Sequence, residues 1–181
     1  MSVRISYEIA DEVIDTEDIR GGYRIDVDGR RINRYGNEAA FESPLRWKPE
    51  YAGEYLHTEF IDLLSKTTRI ARGKLAMYEP VTCRFSGTVN EFVFEMLTET
   101  HLRIAYRIST DSKPAGDVLP DPESARGYVV TAAEFCSEVL RATSAYFDEI
   151  SGYPIEFGHE YLEEFEEKLS ALETALENVD E

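Results

Sequence analysis

The 181-residue chain has the length of one ordinary domain, and its content of 43% hydrophobic and 12% aromatic residues suits a packed core, which excludes a largely disordered protein. Its 36 acidic residues outnumber 19 basic residues and give a formal net charge of −17, which disfavours binding to nucleic acid or to an anionic membrane. No apolar stretch approaches the roughly 20 residues of a membrane span, and residues 1–5 lack the pattern of a secretory signal, so we expect a cytoplasmic protein.

The beginning of the chain predicts antiparallel strands. Apolar and polar residues alternate over residues 3–9 and again over 23–27, which is the period of a strand with one buried face. Asp28 and Gly29 follow the second strand and suit a two-residue hairpin turn, because glycine tolerates a positive φ. Residues 31–33 would then form a short returning strand.

An aromatic loop is predicted next, over residues 34–50. This segment contains glycine and proline and shows no period. It carries Trp47, and Tyr51 follows just beyond it. Aromatic residues of this kind either cover a sheet face or anchor a protein partner.

The middle of the chain predicts a meander of short strands at residues 82–85, 91–97 and 101–108, joined by short links. Residues 109–126 contain three prolines and several turn formers, which indicates an irregular loop. A last short strand is expected at 128–130.

Three helices are predicted, at residues 54–72, 131–150 and 159–179, where apolar residues recur at helical spacing. Thr131 and Glu134 form a capping box at the start of the second helix. The third helix carries a heptad stripe shorter than three heptads, which either packs on its own domain or forms the seam of a homodimer.

Together these elements predict a single α+β domain over residues 1–181. We expect an antiparallel sheet of about five or six strands, with the helices packed mainly on one face.

The chain offers little that suggests catalysis or metal binding. Two Glu-x-x-His matches occur, at residues 54–57 and 156–159. Di-metal carboxylate proteins place such motifs on the helices of a four-helix bundle, whereas this chain is predicted to contain several strands and no such bundle. Cys83 and Cys136 are isolated and are interpreted as buried thiols. The sequence has no nucleophile elbow and no glycine-rich phosphate loop. We therefore expect no metal and no cofactor, and binding is favoured over catalysis.

The best candidate site is a surface at the start of the third helix. Five glutamates fall within eight residues there, more than helix capping needs, although the helix dipole also favours acids at that end. With the two aromatic residues at the loop, the predicted partner-binding residues are Trp47, Tyr51, Glu160, Glu163, Glu164 and Glu167.

The order of elements resembles a group of small bacterial α+β proteins, some of which are immunity proteins or neighbours of polymorphic toxins. The similarity covers residues 1–150, including the stretch at 22–29 and the hairpin at 92–108. The resemblance is one of layout, and such proteins bind through individual surfaces, so it carries over no site residue.

The sequence thus predicts a non-catalytic acidic protein that neutralises a basic protein partner, as an immunity protein or antitoxin would. Two alternatives remain open: an enzyme or small-ligand-binding domain whose site the sequence does not reveal, and a halophilic protein whose acidity is adaptation alone.

Overall fold

The computed structural model of the chain describes residues 1–10, 19–36, 50–85, 89–109, 119–153 and 159–178, with the side chains of 159 and 160 excepted. The described elements, in chain order, are β1 (Val3–Ile9), β2 (Gly21–Val27), β3 (Arg30–Arg31), α1 (Leu56–Ala71), β4 (Val81–Arg84), β5 (Asn90–Met96), β6 (His101–Ile108), α2 (Pro122–Arg126), β7 (Tyr128–Thr131), α3 (Ala132–Ile150) and α4 (His159–Glu177).

The protein is an α+β protein, as predicted, but its described strands form two antiparallel sheets instead of one. Strands β1-β2-β3 make a three-stranded sheet, and β4-β5-β6-β7 make a four-stranded sheet. The prediction of one sheet of five or six strands is not confirmed, because no described strand of one sheet pairs with a strand of the other. Side chains of α3 bond the free edge of β1, and residues 52–55 lie along β2 beyond β3.

The helices do not form a layer on one face of one sheet. Helix α1 contacts β2 and β4, and helix α3 contacts β1 and β7, so each of them touches both sheets. Helix α4 packs mainly on α1 and α3, which places it outside them. The consequence for function is that α4 presents its remaining face to solvent.

The hairpin between β2 and β3 confirms the predicted turn. Asp28 has a φ of 49° and Gly29 a φ of 74°, the positive values that a type I′ turn requires. The returning strand is shorter than predicted and comprises Arg30 and Arg31.

Helix α1 buries the side chains that its spacing predicted. Phe60, Leu63 and Leu64 are fully buried. The carboxylate of Glu59 accepts the N–H groups of residues 54 and 55 at the start of the helix. Gly53, with a φ of 113°, leaves room for that carboxylate, because a Cβ there would collide with it.

The heptad stripe of α4 packs within the chain. Phe165, Leu169 and Leu172 of the stripe are buried, Leu162 and Leu176 are partly buried, and Val179 lies outside the described residues. The ring of Phe165 stacks on Phe147 of α3. Much of the stripe is therefore part of the protein's own core, and self-association stays a prediction.

The segment predicted as an irregular loop contains an element that the sequence reasoning missed. Residues 110–118 lie outside the described residues, but α2 follows them. Asp121 caps α2 by accepting the N–H groups of Glu123 and Ser124, at 3.0 and 3.3 Å. The predicted capping box of α3 is confirmed in part: Thr131 accepts the N–H of Glu134, whereas the Glu134 carboxylate accepts the N–H of Val3.

Candidate functional site

The predicted partner-binding residues fall on two different parts of the fold. Glu163, Glu164 and Glu167 lie on α4, and their side chains are exposed. Glu160 belongs to the first turn of α4, and its side chain is outside the described residues, as is all of Trp47. Tyr51 precedes Ala52, which exchanges backbone hydrogen bonds with Tyr23 of β2 at 2.9 Å.

Tyr51 has a definite structural position. It is half-buried, and the guanidinium carbon of Arg24 lies 5.9 Å from the centre of its ring, within the range of a cation–π contact. Arg24 in turn donates to the carboxylate of Asp26 at 2.9 Å. Tyr51 therefore helps to order the edge of the first sheet, while the glutamates belong to a different element.

Helix α4 concentrates negative charge that the rest of the fold does not offset. Its sequence contains seven glutamates, with Lys168 as the single lysine or arginine. Within the described part of the chain, no ion pair involves a residue of α4. The described pairs lie elsewhere in the fold: Arg4–Glu138, Arg20–Glu54, Arg24–Asp26, Arg34–Asp121, Arg34–Glu123, Lys66–Asp62, Arg84–Glu91, Arg103–Glu95 and Arg141–Glu138.

A groove between α3 and α4 joins this charge to an apolar surface. It has a volume of about 300 Å³, and Phe147 and Leu169 supply its apolar lining. The remaining lining residues are Ser144, Asp148, Glu166, Ser170 and Glu173. We call this feature the α3–α4 groove.

Sequence reasoning missed the groove because it forms only where two helices meet. A partial signal was present in the spacing of Ser144, Phe147 and Asp148, which places them on one face of α3. Nothing in the sequence shows that Glu166 and Glu173 of α4 lie opposite that face.

The first Glu-x-x-His motif has a structural role, whereas Glu156 and the side chain of His159 in the second motif lie outside the described residues. His57 is buried, with Nδ1 3.1 Å from the Tyr146 hydroxyl and Nε2 3.2 Å from the Tyr161 carbonyl oxygen. Because a carbonyl oxygen only accepts, Nε2 donates to it, and Nδ1 shares a hydrogen bond with the Tyr146 hydroxyl. Glu54 of the same motif pairs with Arg20. The described residues contain no cluster of three or more residues able to hold a metal ion.

The two cysteines are buried and free, as interpreted. Burial raises the pKa of the Cys136 thiol to about 12. Burial also raises the pKa of Cys83 well above its ordinary value, and the nearby charge of Asp62 adds to the effect. Because the thiolate is the reactive form, neither cysteine is suited to nucleophilic chemistry at neutral pH.

One exposed turn carries backbone strain that the sequence did not indicate. Tyr78, between α1 and β4, has a φ of 64° although it is not glycine, and 68% of its surface is exposed. Met77 beside it is also exposed. A non-glycine residue in this conformation is disfavoured, so the turn is held by its surroundings, including a hydrogen bond from the Tyr78 N–H to the Met96 carbonyl oxygen.

No protein-family model, curated protein or solved structure matches this chain. Among the helices of the described residues, each is too short or too polar to cross a membrane. The geometry and charge of the chain's own residues therefore carry the functional argument.

Proposed function

We propose that this chain is a non-catalytic acidic protein that binds a basic protein partner in a prokaryotic cytoplasm, as an immunity protein or antitoxin does. The observation that carries the proposal is the solvent face of α4. Glu163, Glu164, Glu166 and Glu167 are all exposed there, and within the described residues none of them takes part in an ion pair.

The physical basis is electrostatic steering. Carboxylates without cationic neighbours create a local negative potential, which accelerates the approach of a positively charged surface and loses strength as salt is added. Charges already paired within the fold contribute less to such a potential. Concentration of the excess charge on an outer helix supports a role for α4 in recognition.

Tyr51 and Trp47 are the proposed aromatic anchors. Large aromatic side chains contribute much of the binding energy at protein interfaces once the partners have docked. Tyr51 is half-buried over Arg24 and keeps part of its surface accessible. Trp47 precedes it by four residues in the sequence.

The test measures association kinetics with the partner. Candidates come from co-expression with the products of neighbouring genes, and each is then examined by stopped-flow at low and at physiological salt. We expect Glu163→Lys with Glu164→Lys to slow association by about tenfold or more at low salt, with little change in stability.

A matched control separates steering by α4 from the effect of net charge. Glu79 precedes β4 and Glu99 lies between β5 and β6; both are exposed, and their double replacement by lysine changes the net charge equally. If both double variants slow association to the same degree, α4 is not the binding surface. If the wild-type protein alone turns over a small molecule, the binding proposal is wrong.

A further inference from the structure

We propose that the α3–α4 groove receives an arginine side chain of the basic partner. This inference rests on the proposed function and adds a specific contact to it. Its starting point is the shape of the groove, which is independent of the net charge. A volume of about 300 Å³ at the junction of two helices is a recess that one long side chain can enter.

The lining of the groove matches the two parts of an arginine side chain. Leu169 is buried and Phe147 is half-buried, and together they offer an apolar surface to a methylene stem. The Phe147 ring is itself fixed, because it stacks on Phe165 with 3° between the ring planes and 5.5 Å between their centres. A fixed aromatic ring also suits a guanidinium group, which stacks on aromatic surfaces.

Three carboxylates at the groove supply the charge complement. Asp148 comes from α3, and Glu166 and Glu173 come from α4, one on each side of Ser170 in the sequence. Their side chains are exposed, and no described hydrogen bond or ion pair involves the carboxylate groups. A cation that entered the groove would meet acceptors that no other described group occupies.

Arginine fits this arrangement better than lysine. The guanidinium group has five donors in a planar fork and can bind carboxylates in a bidentate manner, whereas an ammonium group acts as a compact, strongly hydrated charge. Carboxylates contributed from two helices suit a donor that points in more than one direction.

The probe is a capped pentapeptide with a single arginine between glycines, compared with the same peptide carrying lysine. Each is titrated into the ¹⁵N-labelled protein, and amide chemical shifts report where it binds. We expect the arginine peptide to shift the amides of Ser144, Phe147, Leu169 and Ser170 at millimolar concentration. Its dissociation constant should be about threefold or more below that of the lysine peptide.

Two variants test charge and shape separately. Glu166→Gln with Glu173→Gln should lower the affinity for the arginine peptide by about fivefold. The control double variant, Glu79→Gln with Glu99→Gln, removes the same charge elsewhere and should change this affinity little. Ser170→Trp leaves the charge unchanged and fills the groove, so it should abolish the groove shifts. Ser137→Trp is its control, because Ser137 is exposed on α3 and does not line the groove.

The outcomes separate this inference from the proposed function. Chemical-shift changes confined to amides near Glu163 and Glu164, or equal affinity for the two peptides, would overturn the proposal that the groove binds arginine. The acidic surface of α4 would then remain the proposed interface. Absence of groove shifts with either peptide would also overturn it. The kinetic experiment with the Glu163 and Glu164 double variant tests the proposed function without using a groove residue.

Discussion

The Glu138 side chain bonds the first strand, and its removal should lower the free energy of unfolding. Its Oε1 accepts the N–H of Ile5 at 2.8 Å, and the guanidinium of Arg141 donates to the same carboxylate at 2.7 Å. Arg141 also donates to the Ile5 carbonyl oxygen at 2.8 Å. The Glu138 side chain is only 12% exposed, so water does not readily replace these bonds.

Glu138→Ala should lower the free energy of unfolding by about 2–3 kcal/mol. A hydrogen bond from a backbone N–H to a buried carboxylate contributes about 1.5–3 kcal/mol. The ion pair adds only about 0.5 kcal/mol, because the Arg141 side chain is 44% exposed. Glu138→Gln keeps an acceptor for Ile5 and should lose about 1 kcal/mol. Glu163→Ala, at an exposed position, should change stability by less than about 0.5 kcal/mol.

Urea denaturation at neutral pH measures these differences, and hydrogen exchange of the Ile5 amide reports on the bond itself. A loss for Glu138→Ala no greater than that for Glu163→Ala would refute the reasoning. Burial tends to raise the pKa of Glu138, but the bonds from Arg141 and Ile5 outweigh it and hold the pKa below its ordinary value.

The lowered pKa of Glu138 determines how its contribution to stability changes with pH. The stabilisation by Glu138 is fully present above the ordinary glutamate pKa of about 4.3 and is lost as the pH falls through the lowered folded-state pKa. The stability gap between the wild-type protein and Glu138→Ala should therefore narrow below about pH 4.

Two further substitutions test the core and the strained turn. Leu63→Ala should lower the free energy of unfolding in urea by about 2–5 kcal/mol, because Leu63 is fully buried on the inner face of α1; a loss under about 0.5 kcal/mol would show that its packing is misplaced. Tyr78→Gly should raise the free energy of unfolding by about 0.5–1 kcal/mol, since relief of about 1–2 kcal/mol of left-handed strain exceeds the entropy cost of glycine. A lower thermal midpoint for Tyr78→Gly would contradict the assignment of strain.

Single strands, turns and helices could be predicted from the sequence, because each depends on the spacing and chemistry of neighbouring residues. Residues 3–9 alternate with period two, and the strand there has the predicted bounds. Asp28 and Gly29 took the conformation that their chemistry favours. The side chains at 56–71 recur with the period of a helix, so the first helix and its buried face were also predictable.

The division into two sheets was not predictable, because distant residues decide it. Whether β1 ends a sheet depends on Glu134 and Glu138, which bond its N–H groups from more than 130 positions away. Hydrophobic period shows which face of a strand is buried, but it does not show what lies along the strand's edge.

The candidate site was only partly visible for a related reason. Composition shows an excess of acid, but Glu91, Glu95 and Glu138 look no different in the sequence from Glu163 and Glu164. The structure pairs the first three with arginines, whereas the latter two are exposed on α4.

The bond between Ile5 and Glu138 also has a consequence during synthesis. Ile5 leaves the ribosome before Glu138, which follows it 133 residues later in the chain. At a translation rate of about 5–20 residues per second, roughly 7–27 s pass between the synthesis of Ile5 and that of Glu138. The edge of β1 is not covered by α3 during this time. A nascent chain that stalls before α3 would present an unpaired strand edge to other chains. The edge of β1 is therefore covered only after α3 has been synthesised, and translational pausing ahead of α3 should increase aggregation.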